Sequence, residues 1–298
     1  VVRRPTPTGT CIRAPPLNVI PGSPIPIPTH FSPLPHHMPA PLTIAQISDP
    51  HLFADPDGRL LGWPTRASFA AVLNHLRSTP PDLLLLTGDL TQDGKPATYQ
   101  AVSDLVAPLD VSCLALPGNH DDPALMHSLL QGPVDATTTV TSMGGWHLVL
   151  LDSHVPGASH GRLSAEALDM LDATLHRLDG PILLAMHHPP MPVGAAWLDA
   201  ILLQNPAPLE DCLRSHPQVR LLLCGHVHQA HEAAFGHATA YTCPSTCIQF
   251  KTGAETFALA DRAPGYRVFT LHPDGQYEQT LHRVPVPFQS DPAATGYS

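Results

Sequence analysis

Five short apolar runs in this chain each stop on the same kind of residue. TIAQIS leads to Asp49 and His51, LLLLTG to Asp89, and CLALPG to Asn119, His120 and Asp121; ILLAM leads to His187 and His188, and LLLCG to His226 and His228. Runs this short, apolar at nearly every position, suit strands covered on both faces, as in parallel sheets. The segments between them carry a different period. TRASFAAVLNHLRS sets Phe69, Val72, Leu73 and Leu76 on one helical face, with Thr65 placed to cap it, and PATYQAVSDLVAPL opens with Pro96 in its first turn. SAEALDMLDATLHRL aligns Leu168, Leu171, Leu175 and Leu178. Strand, helix, strand, helix, strand reads as successive right-handed βαβ units, hence an α/β domain with a mainly parallel sheet. WHLVLLDS, HATAYTCPST and GYRVFTLHPDG predict further strands, the last closed by an Asp-Gly turn.

The pattern has a chemical consequence. Open α/β sheets bind ligands just beyond the carboxyl ends of their strands. Side chains up to roughly 180 residues apart in sequence would therefore meet at one edge. A chain with 20 histidines contains close pairs by chance, His226 and His228 among them; five strand ends of matching chemistry are a different matter. Donors at i and i+2 of a strand end point to the same side. Glycines beside them, Gly88, Gly118 and Gly225, let the backbone turn sharply. Carboxylate, imidazole and amide donors suit Mn, Fe, Zn or Co. The set is too large for one ion that keeps an open position, and it suits two ions sharing a bridging carboxylate.

Composition bounds the rest. The 298 residues are 43% apolar and 13% charged, enough for a substantial core. With a formal charge of −10 and only Lys95 and Lys251 as lysines, the sequence shows no basic patch, which argues against nucleic-acid binding. Positive charge for an anionic substrate would have to come from bound metal. Six scattered cysteines without a C-x-x-C pair predict a reduced, cytoplasmic protein. No apolar run approaches the roughly 18 to 20 residues that span a membrane. Residues 1–42 hold 12 of the 36 prolines and no Asp, Glu or Lys, which predicts a disordered extension. Proline interrupts every apolar run there, so it does not read as a signal peptide, and Met38 is a candidate start of natural translation. The catalytic domain is expected over residues 43–285, with a tail over 286–298.

Taken in order, Asp49-Pro50-His51, Gly88-Asp89, Gly118-Asn119-His120-Asp121, His187 and Gly225-His226-Val227-His228 resemble the five blocks of the calcineurin-like metallophosphoesterases. The flanking segments DPHLFADPDGRLLG, LLDSHVPGASHGRLS, CPSTCIQFK and PGYRVFTLHPDG are similar to the bacterial class III 3′,5′-cyclic-AMP phosphodiesterases, from about residue 44 to the tail near Gly296 and Tyr297. The resemblance implies a four-layer α/β sandwich, two mixed β-sheets face to face with helices outside and a dinuclear metal site at the strand C-terminal ends. It implies one metal on Asp49, His51, Asp89 and His228 and a second on Asp89, Asn119, His187 and His226, with Asp89 as the bridge. A hydroxide held between the metals would attack phosphorus, giving 5′-AMP from cyclic AMP, and His120 would protonate the leaving 3′ oxygen.

Several roles stay open. Asp121 either supports His120 or caps a helix. Asn119 and His120 are candidate substrate contacts, and so is His160, in the loop ASHGRLS. His188 reads as a structural neighbour of the site and His231 as a surface or supporting residue. Trp63 and Trp197 either line the site or pack. The cyclic nucleotide is the expected small-molecule partner, with no nucleic acid or membrane partner; oligomeric state has no sequence signal. Two other readings compete: a broader phosphohydrolase acting on 2′,3′-cyclic nucleotides or other phosphodiesters, and a metal-free scaffold of the same fold.

Overall fold

The computed structural model describes residues 40–291 and residue 293. The Met38 expectation, nearly all of the proline-rich extension and the tail residues Gly296 and Tyr297 lie outside the described residues.

Chain order begins with β1 (Leu42–Ile47), the small hairpin β2 (Arg59–Leu60) and β3 (Trp63–Pro64), helix α1 (Thr65–Leu76), β4 (Leu83–Leu86), α2 (Pro96–Val106), β5 (Ser112–Ala115) and α3 (Pro123–Leu129). It continues through β6 (Val140–Met143), β7 (Trp146–Leu150), α4 (Ala165–Leu175), β8 (Ile182–Ala185), α5 (Ala196–Asp199), α6 (Pro206–Ser215) and β9 (Val219–Cys224). The described chain closes with β10 (Glu232–Phe235), β11 (Ala238–Thr242), β12 (Gln249–Phe250), β13 (Leu259–Ala260), β14 (Gly265–Leu271) and β15 (Tyr277–Arg283).

The βαβ expectation holds locally, but the strands split into two sheets. One has the order β15-β14-β1-β4-β5 and the other β10-β11-β9-β8-β7-β6. β1, β4 and β5 run parallel, as do β7, β8, β9 and β11, while β6, β10, β14 and β15 are antiparallel additions. Both sheets are therefore mixed. The single mainly parallel sheet inferred from periodicity is corrected, and the four-layer sandwich implied by the resemblance is what forms.

Side-chain alternation explains the layers. Ile44, Leu83, Leu85 and Leu114 point inward against Trp146, Leu148, Leu183, Leu221 and Leu223 of the other sheet. Their neighbours Ala45, Ile47, Leu84 and Leu86 point outward and pack on Phe69, Val72, Leu73, Tyr99 and Val102 of α1 and α2. The second sheet does the same, sending Ile182, Leu184 and Leu222 out against Leu171, Leu175, Leu209 and Leu213 of α4 and α6. Each apolar run is thus buried twice, once by a sheet and once by a helix. Burying a leucine-sized side chain contributes about 1.5–3 kcal/mol, so these layers dominate stability.

Two caps differ from expectation. Helix α1 begins on Thr65 itself; Pro64 occupies the cap position without a side-chain hydrogen bond. Pro64 itself is extended, at φ −78° and ψ 93°, the non-helical backbone usual for a cap position. Helix α3 is capped by Asp122, whose Oδ1 accepts from Ala124 and Leu125 N–H at 3.0 Å each. Asp121 is therefore not the cap.

A candidate dimetal centre

The ends of β1, β4, β8 and β9 and the loop after β5 converge where the two sheets meet. The backbone there is unusual. Among the described residues seven non-glycine positions have positive φ, and Asp49, His51, Asp89, His226 and His228 are five of them, at 46° to 70°. Left-handed backbone at such residues is held only where the surroundings over-determine it, and it concentrates at functional sites. Gly88, at φ +94°, fits for a second reason: a Cβ there would stand 2.5 Å from His187 Nδ1.

The donor atoms face one another. His51 Nε2 lies 3.1 Å from His228 Nε2 and 3.6 Å from Asp89 Oδ2. His187 Nε2 lies 3.3 Å from Asp89 Oδ2 and 4.0 Å from Asp49 Oδ1, and His228 Nε2 lies 3.4 Å from Asp49 Oδ1. The donors of Asp49, His51 and His228 fall within 4.8 Å of one another, and so do those of Asp49, Asp89 and His187, of His51, Asp89 and His120, and of His187, His188 and His226. Asn119 Oδ1 is buried there without a hydrogen-bond partner. Two imidazole nitrogens aimed at each other beside carboxylates, with an unpaired amide oxygen, form a donor set that fits cations.

The opposite nitrogen of each ring is anchored. His51 Nδ1 pairs with Gln92 Oε1 at 2.8 Å, His187 Nδ1 with the Thr87 carbonyl at 2.8 Å and His228 Nδ1 with the Ile248 carbonyl at 3.0 Å. These partners put hydrogen on Nδ1 and leave Nε2 as the donor to a metal. His226 is reversed: its Nε2 meets the Ile201 carbonyl at 3.0 Å, which leaves Nδ1 for the centre. Phe250 stacks on the His228 ring at 4.2 Å, and Trp197 meets Phe250 edge-on at 4.8 Å. Trp197 thus supports the site from behind. Trp63 packs against Phe288.

Burial alone would raise the carboxyls of Asp49 and Asp89. The surrounding imidazoles, His228 and His187 for Asp49 and His187 and His120 for Asp89, hold both below the usual carboxylate range. Burial, reinforced by neighbouring histidines, depresses His51 and His226 to about 3. His187 goes the other way. Burial disfavours its charge, but Asp89 and Asp49 outweigh that and lift it to about 9.

The remaining sequence candidates fall as follows. His120 donates its backbone N–H to Asp89 Oδ1 at 2.9 Å, and its ring meets His51 edge-on at 5.0 Å. Asp121 accepts N–H bonds from Gly118, Leu90 and Thr91 at 2.9, 3.1 and 3.1 Å, and so ties the β4 and β5 loops together. His188 is buried, with its Nδ1 2.8 Å from Ser153 Oγ and its Nε2 unpaired, so it stands closer to the centre than a bystander would. His160 is half-buried; its neighbour Gly161 approaches the His188 ring so closely that a Cβ would clash. That brings the ASHGRLS loop to the rim of the site. His231 is engaged through its backbone, its N–H donating to Thr242 Oγ1 at 2.9 Å.

Sequence reading missed the supports. Gln92 lies three residues past the Gly-Asp block. Ser245 and Cys247, inside CPSTC, direct Oγ and Sγ at the Asp49 carbonyl at 2.7 and 3.5 Å. The CPSTC segment thus holds the Asp49 backbone in place. All five cysteines among the described residues are free thiols.

A two-sheet sandwich with carboxylates, imidazoles and an amide gathered at its strand ends defines the class of two-metal phosphoesterases. Residues 42–230 match the calcineurin-like phosphoesterase family, and the chain belongs to it. The chain is 40% identical to a 3′,5′-cyclic adenosine monophosphate phosphodiesterase, CpdA, of Pseudomonas aeruginosa, over 87% of this chain and 96% of that one. It is 39% identical to a 3′,5′-cyclic-nucleotide phosphodiesterase of Nostoc sp., over 86% of this chain and 97% of the relative. Among solved structures, a dimetal phosphatase from Danio rerio superposes with a TM-score of 0.58 at 17% identity, covering 83% of this chain and all of that one, a likeness of fold. Among the described residues no helix is long and apolar enough to cross a membrane.

Proposed function

We propose that this chain is a cytoplasmic, metal-dependent phosphodiesterase that hydrolyses 3′,5′-cyclic AMP to 5′-AMP. The observation that carries the chemistry is the meeting of the Asp49, His51, Asp89, His187 and His228 donors at one sheet edge, with Asn119 Oδ1 buried and unbonded beside them. The substrate rests on the relatives of that name, which align over most of the chain.

One ion would be held by Asp49, His51, Asp89 and His228, the other by Asp89, Asn119, His187 and His226, with Asp89 shared. When bound, two such ions supply Lewis-acid polarisation of phosphate oxygens and a water acidic enough to react near neutral pH. Mn, Fe, Zn and Co all suit these donors. The protein's own part is positional and protolytic. Asp89 Oδ1 fixes the His120 backbone, and the imidazole lies edge-on to the His51 ring. Protonated, that ring donates to the departing 3′ oxygen, which would otherwise leave as an alkoxide; such a step contributes about 10²–10⁴-fold. Asp121 holds the loop that presents it. His160, at the rim, and Asn119, beside the second ion, are the candidate substrate contacts.

The test is product analysis. Manganese-loaded protein should convert cyclic AMP to 5′-AMP, and Asp89→Asn should not. Turnover no greater than that of Asp89→Asn would reject the reading. The same assay with 2′,3′-cyclic AMP and an aryl diester separates it from a broader phosphohydrolase, for which kcat/KM would be similar on all three.

A further inference from the structure

Another group of metal-binding side chains lies away from the strand-end centre. Helices α4 and α6 are both crossovers in the second sheet, α4 between β7 and β8 and α6 between β8 and β9, strands that run parallel. The two helices are therefore parallel to each other. Their C-terminal ends lie at the edge where the strands begin, opposite the edge that carries Asp49 and His226. At that far end each helix presents an i, i+4 pair: Asp172 and His176 from α4, Cys212 and His216 from α6, with both histidines at the C-cap.

The four side chains meet. His216 Nε2 lies 2.7 Å from Asp172 Oδ1, and Cys212 Sγ lies 4.0 Å from the same oxygen. The His176 ring stands edge-on to His216 with centroids 4.5 Å apart, and its Nδ1 is 3.4 Å from Asp172 Oδ2. The metal-binding atoms of Asp172, Cys212 and His216 all fall within 4.8 Å of one another. Tetrahedral zinc, with bonds of about 2.0–2.3 Å, sets its ligands roughly 3.3–3.8 Å apart, so small side-chain rotations suffice. Two helix C-termini converging on the spot add partial negative charge, which favours a cation. His216 is only 3% exposed, which removes most competing water from one side.

We propose that Asp172, Cys212 and His216 form a second, structural site for a single borderline divalent cation such as Zn(II), pinning α4 to α6, with His176 at its open side. This site is independent of the catalytic reading. Loading breaks the S–H bond of Cys212, whose proton leaves to solvent, and forms the metal–thiolate bond. The His216 ring shifts its hydrogen to Nδ1, leaving Nε2 to bind. Burial and the Asp172 carboxylate push the free thiol up to about 11, so the cation supplies the drive for deprotonation.

Cobalt(II) provides the test, because thiolate-to-cobalt charge transfer in the near ultraviolet requires a cysteine ligand and the strand-end centre has none. Full-length protein titrated with Co(II) should develop that band. It should be lost in Cys212→Ser and strongly weakened in Asp172→Asn, while it persists in Asp89→Asn. Zn(II) should also shield Cys212 from alkylation; it is the one described cysteine that is not fully buried, so peptide mass analysis can follow it. Both variants change side chains at the surface of folded helices, and circular dichroism checks that they remain folded. Absence of the band in the native chain, or its survival in Cys212→Ser, would overturn the proposal. Shielding of Cys212 with no metal bound would mark the cluster as an ordinary Asp–His pair and overturn it equally.

Discussion

The backbone N–H of His226 donates to both carboxylate oxygens of Asp49, at 3.1 Å each, across 177 residues of sequence. Asp49 follows β1 and His226 follows β9, so this forked bond ties one sheet to the other at the edge where the candidate ligands meet. The candidate ligand cluster is also a clamp. Asp49→Asn keeps the shape but removes the charge. We expect metal affinity to fall by more than the 10–100-fold typical of outer-shell losses. Chelation of the native protein should also lower its melting temperature. A ligand held at a hundred times its Kd adds about 2.7 kcal/mol, and that increment should shrink in Asp49→Asn. Calorimetry with and without chelator measures both.

Gln92 is the cleanest test of the supporting groups. Its Oε1 fixes the His51 tautomer through a 2.8 Å bond. Gln92→Leu removes the acceptor and should cost about 10–100-fold in metal affinity or activity. Gln92→Glu keeps an acceptor and should recover most of it. Equal losses in both variants would mean that the side chain acts through packing alone.

The candidate ligand positions stand out in the sequence because strand ends are where period and residue type change together. Asp89, His187 and His226 each follow a nearly unbroken apolar run, and Asp49 follows the more mixed TIAQIS; such runs survive single-sequence reading. The division into two sheets was not legible in those runs. Leu84 and Leu85 are both fully buried, one under a helix and one under a sheet, and nothing in their chemistry distinguishes the two covers. β15 was missed because YEQTLHR, an edge strand, is polar or charged at five of its seven positions, although Tyr277 packs against the core between the sheets. The supports of the site were hidden for another reason. Thr87, Ile201 and Ile248 act through backbone carbonyls, which every residue possesses.

Asp121 holds three backbone N–H groups of two loops on one buried carboxylate. Asp121→Asn replaces one acceptor oxygen with an NH₂ that faces a donor. Leaving a buried donor unsatisfied costs about 1–3 kcal/mol, which denaturant unfolding would read directly. The loops it joins carry Asp89 and Asn119, so metal content should fall as well. Unchanged stability would place the weight of those loops elsewhere.

His187 connects metal affinity to pH. Two carboxylates raise its pKa to about 9, while a metal needs its Nε2 free of hydrogen. Below about 9 a proton competes for that nitrogen. Metal affinity of the chelated protein should therefore rise roughly tenfold per pH unit on the way up toward 9 and then level off. His51 and His226, depressed to about 3, are already neutral over this range and add no further slope. Competition against a calibrated chelator from pH 6.5 to 9.5 would show it. A flat profile would mean that His187 is neutral before the metal arrives.

His120 separates the role of an acid from that of a neighbour. The 3′ oxygen of a cyclic nucleotide is a poor leaving group and needs a proton, whereas a nitrophenolate does not. If His120 supplies that proton, His120→Asn should lower kcat on cyclic AMP by about 10²–10⁴-fold and spare most of the activity on a nitrophenyl diester. Metal content should stay at the native level, because in the proposed scheme the imidazole of His120 binds neither ion. A residue that only shaped the pocket would lower both rates together, and a ligand would lower metal content. The comparison of two leaving groups at fixed metal occupancy therefore distinguishes all three roles. The 2.9 Å bond from the His120 backbone to Asp89 is made by the peptide and survives the substitution, so the loop should keep its place while the ring chemistry changes.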